Sequence, residues 1–412
     1  MRFHRFRPAA VLATAFAVSA LGLAFAQAPA PTPAPAPAPA QPAGAAAAEP
    51  VPVPPPPAVV GNAWVLMDYE TGQVLAGENM DARVEPASIT KVMTSYVVAA
   101  AIASGKVSPE DQVTMTENAW RKGGAGTDGS YSGFPVNETA PLLEMEKGMA
   151  VQSGNDAAIA LAEHVAGSED SFAAMMNSYA QRIGMNNSHF VNSHGLSEEN
   201  HYSTARDLAL LGRAMIRDYP EEYAHNSIRE MTVNGITQRN RNRLLWRDDT
   251  VDGIKTGHHS GAGYCLMSSA KRGDQRLIAV VMGSNSEAQR ATDSLALLNW
   301  GFRFYETHTL YQAGTDISTQ RIWKGKANEL RLGLAEPLRI SLPRGQYEQL
   351  KPSMDIPATL VAPVEKGQAI GTVKVSLDGK VIAERPLVAL EAVEEAGFFK
   401  RLWHEFLMWW NA

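Results

Sequence analysis

The apolar residues of this chain change their spacing twice, and that change limits the fold more than any bulk property does. From Asn62, "AWVLMDYETGQVLAGEN" alternates as two short strands around a turn at Glu70-Thr71-Gly72. Over residues 88–104 the period lengthens: Ile89, Val92, Met93, Tyr96, Val97, Ala100 and Ala101 make one stripe, and Gly105 stops it, which predicts an amphipathic helix. A second helix follows "SGNDAAIALAEHVAG", a third spans 170–183, and a fourth begins at Thr204-Ala-Arg-Asp207, a capping-box pattern ahead of Leu208, Leu210 and Leu211. Alternation returns at 252–255, 263–270 and 276–284, the last two joined through "KRGDQ". Arg272-Gly273-Asp274 in that turn reads as a polar hairpin tip, not an adhesion motif. The order is β, then α, then β.

The flanks differ in kind. Arg2, Arg5 and Arg7, the apolar run 9–25 and Ala24-Phe25-Ala26 read as an export signal ending at Ala26, with an uncleaved membrane helix as the other reading. Residues 27–60 are almost wholly Pro and Ala, a semi-rigid linker. Residues 61–307 then form the larger folded region. After Gly301-Phe302-Arg303-Phe304-Tyr305 short alternating runs such as "TVKVSLDGKVIAERPLVAL" predict a separate β domain over 308–392. In the final segment, 393–412, Phe398, Phe399, Leu402, Trp403, Phe406, Leu407, Trp409 and Trp410 share one side, and Lys400, Arg401, His404 and Glu405 the other. Thirteen residues of helix reach about 20 Å, too short for a hydrocarbon core of about 30 Å, so this helix is expected to lie in a membrane interface; docking on its own domain is the alternative.

Composition excludes some functions. A net charge of -6 with 37 Lys and Arg and no cationic cluster argues against nucleic acid as a partner. The single cysteine, Cys265, permits no intrachain disulfide and reads as a small buried residue. His258 and His259 lack the spacing of a metal motif, so no metal and no cofactor are expected. "GSYSG" at 129–133 imitates a nucleophile elbow, but Tyr131 holds the position a serine would need.

Three short motifs carry the chemistry. Ser88 and Lys91, at i and i+3 in "EPASITK", share a helical face, so the amine can reach the hydroxyl. Serine needs a base to become a nucleophile, and lysine serves only if burial or a neighbouring cation lowers its pKa. Ser153-Gly154-Asn155 opens a helix 65 residues later (153 minus 88), and Lys255-Thr256-Gly257 ends a strand 102 residues beyond (255 minus 153). Each motif is weak alone; in this order, on these elements, they match the Ser-x-x-Lys, Ser-x-Asn and Lys-Thr-Gly set of penicillin-recognising acyltransferases.

With "QSGNDAAIALAEHVAGS", "MNNSHFVNSHGL", "YSTARDLALLGRAMIRDYP", "RNRNRLLW", "VDGIKTGHHSGAGYCL" and "WGFRFYET", the chain from about Asn62 onward resembles the low-molecular-mass penicillin-binding proteins that act as D-alanyl-D-alanine carboxypeptidases. The resemblance implies an α/β (α+β) fold: a β-lactamase/transpeptidase-like catalytic domain with an antiparallel sheet and a helical cluster, a small all-β domain and a terminal amphipathic helix. It implies that Ser88 attacks the bond between the last two D-alanines of a peptidoglycan stem peptide with Lys91 as base. Ser153 would relay a proton to the leaving amine, Asn155 would hold the substrate amide and Lys91, and Lys255 would keep Lys91 neutral. Thr256 and Arg241 would grip the terminal carboxylate, and the backbone N–H groups of Ser88 and His258, the latter following Gly257, would form an oxyanion hole. His194-Gly195-Leu196 would border the cleft, as a turn or as a substrate contact.

The implied partners are stem peptides, β-lactams as inhibitors, the outer face of the inner membrane through the last helix, and a second copy of the chain, in the periplasm. The stretch "GGAGTDGSYSGFPVNETAPLLEMEKGMAVQ" departs from the family pattern, so deacylation rate and substrate length do not carry over. A β-lactamase, a D,D-endopeptidase and an inactive wall-binding protein are the rival readings. No Glu-x-x-Leu-Asn base stands between the second and third motifs, as a class A β-lactamase requires.

Overall fold

A computed structural model describes residues 52–124 and 129–410. The expected export signal, most of the Pro/Ala linker and residues 125–128 of the divergent stretch lie outside the described residues. Among the described residues, five antiparallel strands form the central sheet: β1 (Ala63–Asp68), β2 (Val74–Glu78), β3 (Val251–His259), β4 (Gly263–Arg272) and β5 (Gln275–Ser284), in the order β2-β1-β5-β4-β3. β1 thus pairs with β5, a strand formed more than two hundred residues later. Everything between must fold as a layer against the sheet.

Both faces of the sheet are covered, which is why β1 is buried at every position. Ala63, Val65 and Met67 of β1 with Ile278, Val280 and Met282 of β5 face a helical cluster. Trp64, Leu66, Leu277, Ala279 and Val281 face the opposite way, toward Leu297 and Leu298. At roughly 1.5–3 kcal/mol for each large apolar side chain buried, these two layers dominate the stability of the unit.

The cluster contains α1 (Thr90–Ala103), α2 (Leu142–Gln152), α3 (Asn155–Ala166), α4 (Glu169–Ile183) and α5 (Ala205–Asp218); α6 (Glu287–Phe304) covers the other face. The sequence predicts an amphipathic first helix. The structure instead makes α1 a central shaft, buried from Thr90 through Ala101 because α2 to α5 surround it. Its polar residues, Lys91, Thr94 and Ser95, are therefore interior groups that need partners. α5 starts as predicted, Thr204 Oγ1 accepting from Asp207 N at 3.1 Å. The Asp207 carboxylate does not reach back to close a box; it accepts from Asn187 N and Ser188 Oγ, both at 2.8 Å.

Part of the expected linker is seated on this unit. Val53 and Val59 pack beside α6, Trp300 Nε1 donates to Pro54 O at 3.2 Å, and Val60 N donates to Asp293 Oδ2 at 3.1 Å. Proline lacks an N–H but keeps its carbonyl, so an extended Pro-rich segment can still be held by a donor from the domain.

The β domain begins directly where α6 ends, at Tyr305, not after residue 307. Strand Tyr305–Tyr311 pairs with Leu338–Pro343, over a six-stranded sheet that includes Ala369–Leu377 and Lys380–Ala389. Leu338, Ile340, Leu342, Val373, Val375 and Leu387 fill the space between. The two units meet where Thr307 Oγ1 donates to Asp68 Oδ2 at 2.6 Å and where Arg339 pairs with Glu70.

The last helix, α7 (Phe398–Trp410), is mounted on the β domain by its polar side. Lys324 N donates to Nδ1 of the buried His404 at 2.7 Å, Lys324 Nζ pairs with Glu405 at 2.6 Å, and Arg401 pairs with Glu395 at 2.7 Å. The apolar side is left outward: Phe399, Trp409 and Trp410 are 85%, 73% and 72% exposed. Among the described residues no helix is long and apolar enough to cross a membrane.

Candidate active site

Ser88 sits in a single 3-10 turn, Ala87–Ile89, that leads into α1. Ala87 before it is held at φ +47°, a left-handed conformation that disfavours any residue with a Cβ. The turn is clamped from two sides. Gly195 has φ +89°, and a Cβ there would lie 1.9 Å from Ala87 O. A Cβ on Gly257 would lie 3.0 Å from Ala87 Cβ and 3.2 Å from Ser88 N. Glycine at both positions lets a loop and a strand close on the serine at backbone distance.

Lys91, the second residue of α1 and one turn beyond Ser88, is 1% exposed. Its Nζ lies 2.9 Å from Ser88 Oγ, 2.6 Å from Asn155 Oδ1 and 2.7 Å from His194 O. These three partners account for every valence of the amine. A neutral amine has two N–H bonds and one lone pair; the amide and carbonyl oxygens can only accept, so they take the two N–H bonds and the lone pair is left facing the serine hydroxyl. Burial holds the Lys91 pKa well below the usual lysine value, and the cations of Lys255 and Arg241 add to the effect; nearby Asp156 opposes it. Desolvation, more than the second cation, thus keeps this amine neutral.

Ser153 ends α2 in a left-handed conformation, φ +63°, and Asn155 begins α3, so the second motif is a corner between two helices. Both side chains are 2% exposed. Asp156 fixes the corner: its Oδ1 accepts from Ser132 N at 2.8 Å and its Oδ2 from Ser132 Oγ at 2.8 Å, while Asn155 N donates to Ser130 O at 2.8 Å. "GSYSG" is therefore a strap held by the second motif.

Lys255, Thr256 and Gly257 lie on β3 opposite Met267, Leu266 and Cys265 of β4. Lys255 is 4% exposed; burial first, then Arg241 and Arg290, push its pKa down to about 7. His258 is exposed and stacks against Tyr264 with ring centroids 4.0 Å apart. Arg241 reaches the same space from the loop between the helices and β3. Ser88, Ser153, Asn155, Arg241, Thr256 and His258 line one cavity of about 780 Å³, with Gly257 beside them. Every predicted site residue except the two buried lysines thus borders the cavity, and Lys91 touches two that do. Cys265 is fully buried, and burial pushes its thiol up to about 11. Among the described residues no group of His, Cys, Asp and Glu could hold a metal ion.

Two contributors are missing from the sequence reading. The first is the carbonyl of His194, and a backbone oxygen has no signature in residue type. The His194 ring has its pKa pushed down to about 3, mainly by burial, and its Nδ1 accepts from Leu196 N at 3.1 Å, shaping the turn. The second is Arg290, 4% exposed in the first turn of α6, whose guanidinium donates to Gly257 O at 2.9 Å and Cys265 O at 3.3 Å. Gly257 O and His258 N–H belong to one peptide group, so a cation on the oxygen makes that N–H a stronger donor.

A helix-borne serine beside a buried neutral lysine, a Ser-Gly-Asn corner and a Lys-Thr-Gly edge strand on a sheet between helical layers define a penicillin-binding serine acyltransferase. Within that class, the chain belongs to the D-alanyl-D-alanine carboxypeptidase family, whose description matches residues 50–286; the C-terminal domain of penicillin-binding protein 5 matches 305–395. The D-alanyl-D-alanine carboxypeptidase DacC of Escherichia coli (strain K12) is 47% identical over 354 residues, 85% of this chain and 88% of that protein. Penicillin binding protein 5 from Haemophilus influenzae superposes with a TM-score of 0.79 at 43% identity, covering 83% of this chain and 99% of that one. Penicillin-Binding Protein D2 from Listeria monocytogenes, solved in an ampicillin-bound form, covers 60% of this chain and 100% of its own with a TM-score of 0.53 at 27% identity.

Proposed function

We propose that the protein is a serine-type D-alanyl-D-alanine carboxypeptidase that trims the terminal D-alanine from peptidoglycan stem pentapeptides. The observation that carries this reading is the three-way coordination of Lys91 Nζ, whose remaining lone pair faces Ser88 Oγ at 2.9 Å. Lys91 takes the serine proton as Oγ adds to the penultimate carbonyl carbon. The developing oxyanion is met by the N–H groups of Ser88 and His258, each such donor typically contributing about 3 kcal/mol. Ser153 passes a proton to the departing amine, the C–N bond breaks and D-alanine leaves. Water then cleaves the ester. Arg241 and Thr256 hold the terminal carboxylate, Asn155 orients the substrate amide, and Lys255 supplies positive potential at that end.

β-lactams, which carry a carboxylate beside a strained amide, fit the same site and would acylate Ser88. Incubation with a labelled penicillin should leave a stable adduct on Ser88, and Ser88→Ala should lose both the adduct and D-alanine release from a pentapeptide. Rapid catalytic turnover of the penicillin would overturn the reading in favour of a β-lactamase. Wall binding without any D-alanine release would favour an inactive binding protein.

The finer cellular placement is proposed on the same footing. The chain would be exported by residues 1–26 and held at the outer face of the inner membrane by α7, whose outward aromatic face and thirteen-residue length suit an interface.

A further inference from the structure

One buried acid takes no part in the chemistry described so far. Glu146 lies in α2 about two turns before Ser153, within the stretch that departs from the family pattern, and is 1% exposed. Among the described residues neither of its carboxylate oxygens has a hydrogen-bond partner. Its ionic partner is His225, whose Nδ1 stands 3.3 Å from Oε2 and is also without a hydrogen bond. A buried carboxylate left in this way is costly unless a proton or a cation neutralises it.

The pair stands where the elements that carry the site meet. Ser95 of α1, one turn beyond Lys91, turns its hydroxyl toward the carboxylate. α2 holds the acid itself and ends at Ser153. His225 belongs to the 3-10 turn Ala224–Ser227, which packs against both α2 and β3. Asn226 O and Ile228 O, just beyond His225, accept from Asn240 Nδ2 at 3.3 and 3.0 Å, so this turn fixes the residue before Arg241.

Other charges on the elements packed against α2 are engaged elsewhere. Glu144 pairs with Lys147 at 2.7 Å on α2 itself, and Glu230 with Arg239 at 3.7 Å on the hairpin Glu230–Arg239. On α3, Asp156 accepts from Ser132, Glu163 from Thr116, and His164 meets Asp111. Burial raises the Glu146 pKa; His225 opposes this, and the negative Glu222 adds to it.

We propose that Glu146 is a positioning residue: one proton shared with His225 clamps α2 to the turn behind Arg241, and loss of that proton as pH rises loosens the hold on the substrate carboxylate. This rests on the proposed seating of that carboxylate at Arg241. With the proton, carboxylate and imidazole make a charge-assisted bond. Without it, a buried charge faces a neutral ring, and the contact is relieved by admitting water and parting the two elements. His225 is partly exposed, so the proton exchanges with solvent through the ring. Because the folded state holds the carboxyl pKa up, the protonated pair is the form that folding favours, and its contribution is lost as pH rises.

The test follows the full-length protein between about pH 5 and pH 8 by amide hydrogen exchange over residues 224–241 and by D-alanine release from a pentapeptide. In the wild type, exchange in this segment should accelerate beyond the intrinsic chemical rate as pH rises. Glu146→Leu/His225→Leu, an apolar pair that can pack without a charge, should show no such acceleration and a KM less dependent on pH. His225→Leu alone strands the carboxylate and should raise KM about five-fold or more, with kcat within about two-fold of wild type. Labelling by saturating penicillin reports that each variant is folded. Equal acceleration in wild type and double variant, or none in the wild type, would overturn the clamp; an altered exchange profile with unchanged KM would overturn the positioning role. Acceleration confined to the wild type, in a protein that releases no D-alanine, would keep the clamp and sink the carboxypeptidase reading instead.

Discussion

At the scale of residues, the site is an arrangement for keeping one amine neutral and one peptide polarised. Lys255, with a pKa pushed down to about 7, is the titration that should limit activity from above. As pH rises through that value its cation disappears, the end of the cleft proposed for the carboxylate loses potential, and one of the influences that lowers Lys91 is removed. The alkaline limb of kcat/KM should therefore move upward in Lys255→Arg, because guanidinium does not deprotonate in this range, whatever the height of the profile. An unmoved limb would mean another group sets it. Stability is tied to the same shift. A lysine at about 7 when folded and 10.5 when unfolded lowers stability as pH falls from 10.5 to 7, by on the order of 5 kcal/mol when complete. Lys255→Met should thus raise Tm, and by more at pH 7 than at pH 9. Arg290→Gln removes the charge from Gly257 O. Acylation should slow by about ten-fold, part of the 10²–10³ seen when an oxyanion donor is lost outright. The ester carbonyl stretch of an isotopically labelled acyl-enzyme should also shift to higher frequency, a change that simple loosening of α6 would not produce. Of these groups Ser88, Lys91 and Lys255 stand out as candidates from short motifs, because such chemistry would constrain residue type at fixed spacing. Arg290 cannot: at the start of a helix, an arginine three residues after Glu287 looks like a solvent-exposed ion pair, and only the pairing of β3 with β4 puts carbonyls above it.

At the scale of elements, periodicity finds strands and helices but misjudges what surrounds them. The stripe on α1 is real, yet apart from Lys91 the rest of the helix consists of small or β-branched residues that other helices can also cover, so an amphipathic pattern becomes a buried shaft. α6 is missing from the sequence-based expectation because its buried face mixes Leu297 and Leu298 with Arg290 and Asp293, polar groups that find partners in distant segments, Gly257 O and Val60 N. α7 is read correctly from its pattern: among the described residues its outward aromatics, Phe399, Trp403, Trp409 and Trp410, stay exposed, so no neighbour alters the pattern. Trp403→Glu/Phe406→Glu in that face should weaken binding to phospholipid vesicles at least about ten-fold, given the apolar area each ring would bury. Penicillin labelling should be unaffected. Unchanged vesicle binding would assign the exposed aromatics another role.

At the scale of the whole molecule, every candidate site residue lies before Tyr305, and Penicillin-Binding Protein D2 from Listeria monocytogenes aligns over its full length with 60% of this chain. A truncation to residues 52–304 should accordingly label with penicillin at the rate of the full chain. It should melt earlier, because the buried Asp68 carboxylate would lose its bond from Thr307, a loss of about 1–3 kcal/mol. Domain boundaries are only partly readable: the linker's composition is continuous while Val53, Pro54 and Val59 are already seated on the folded unit, and composition carries no mark of that seating. The fastening of α7 by its polar side has a mechanical consequence. A tether on a loose linker would let the enzyme tumble, whereas a helix bolted to a rigid body transmits the tilt of the bilayer to everything attached. Lipid contact would then set the direction in which the cleft opens and the depth of polymer it can scan, so grafting flexible residues ahead of Phe398 would leave the catalyst intact and take away its aim.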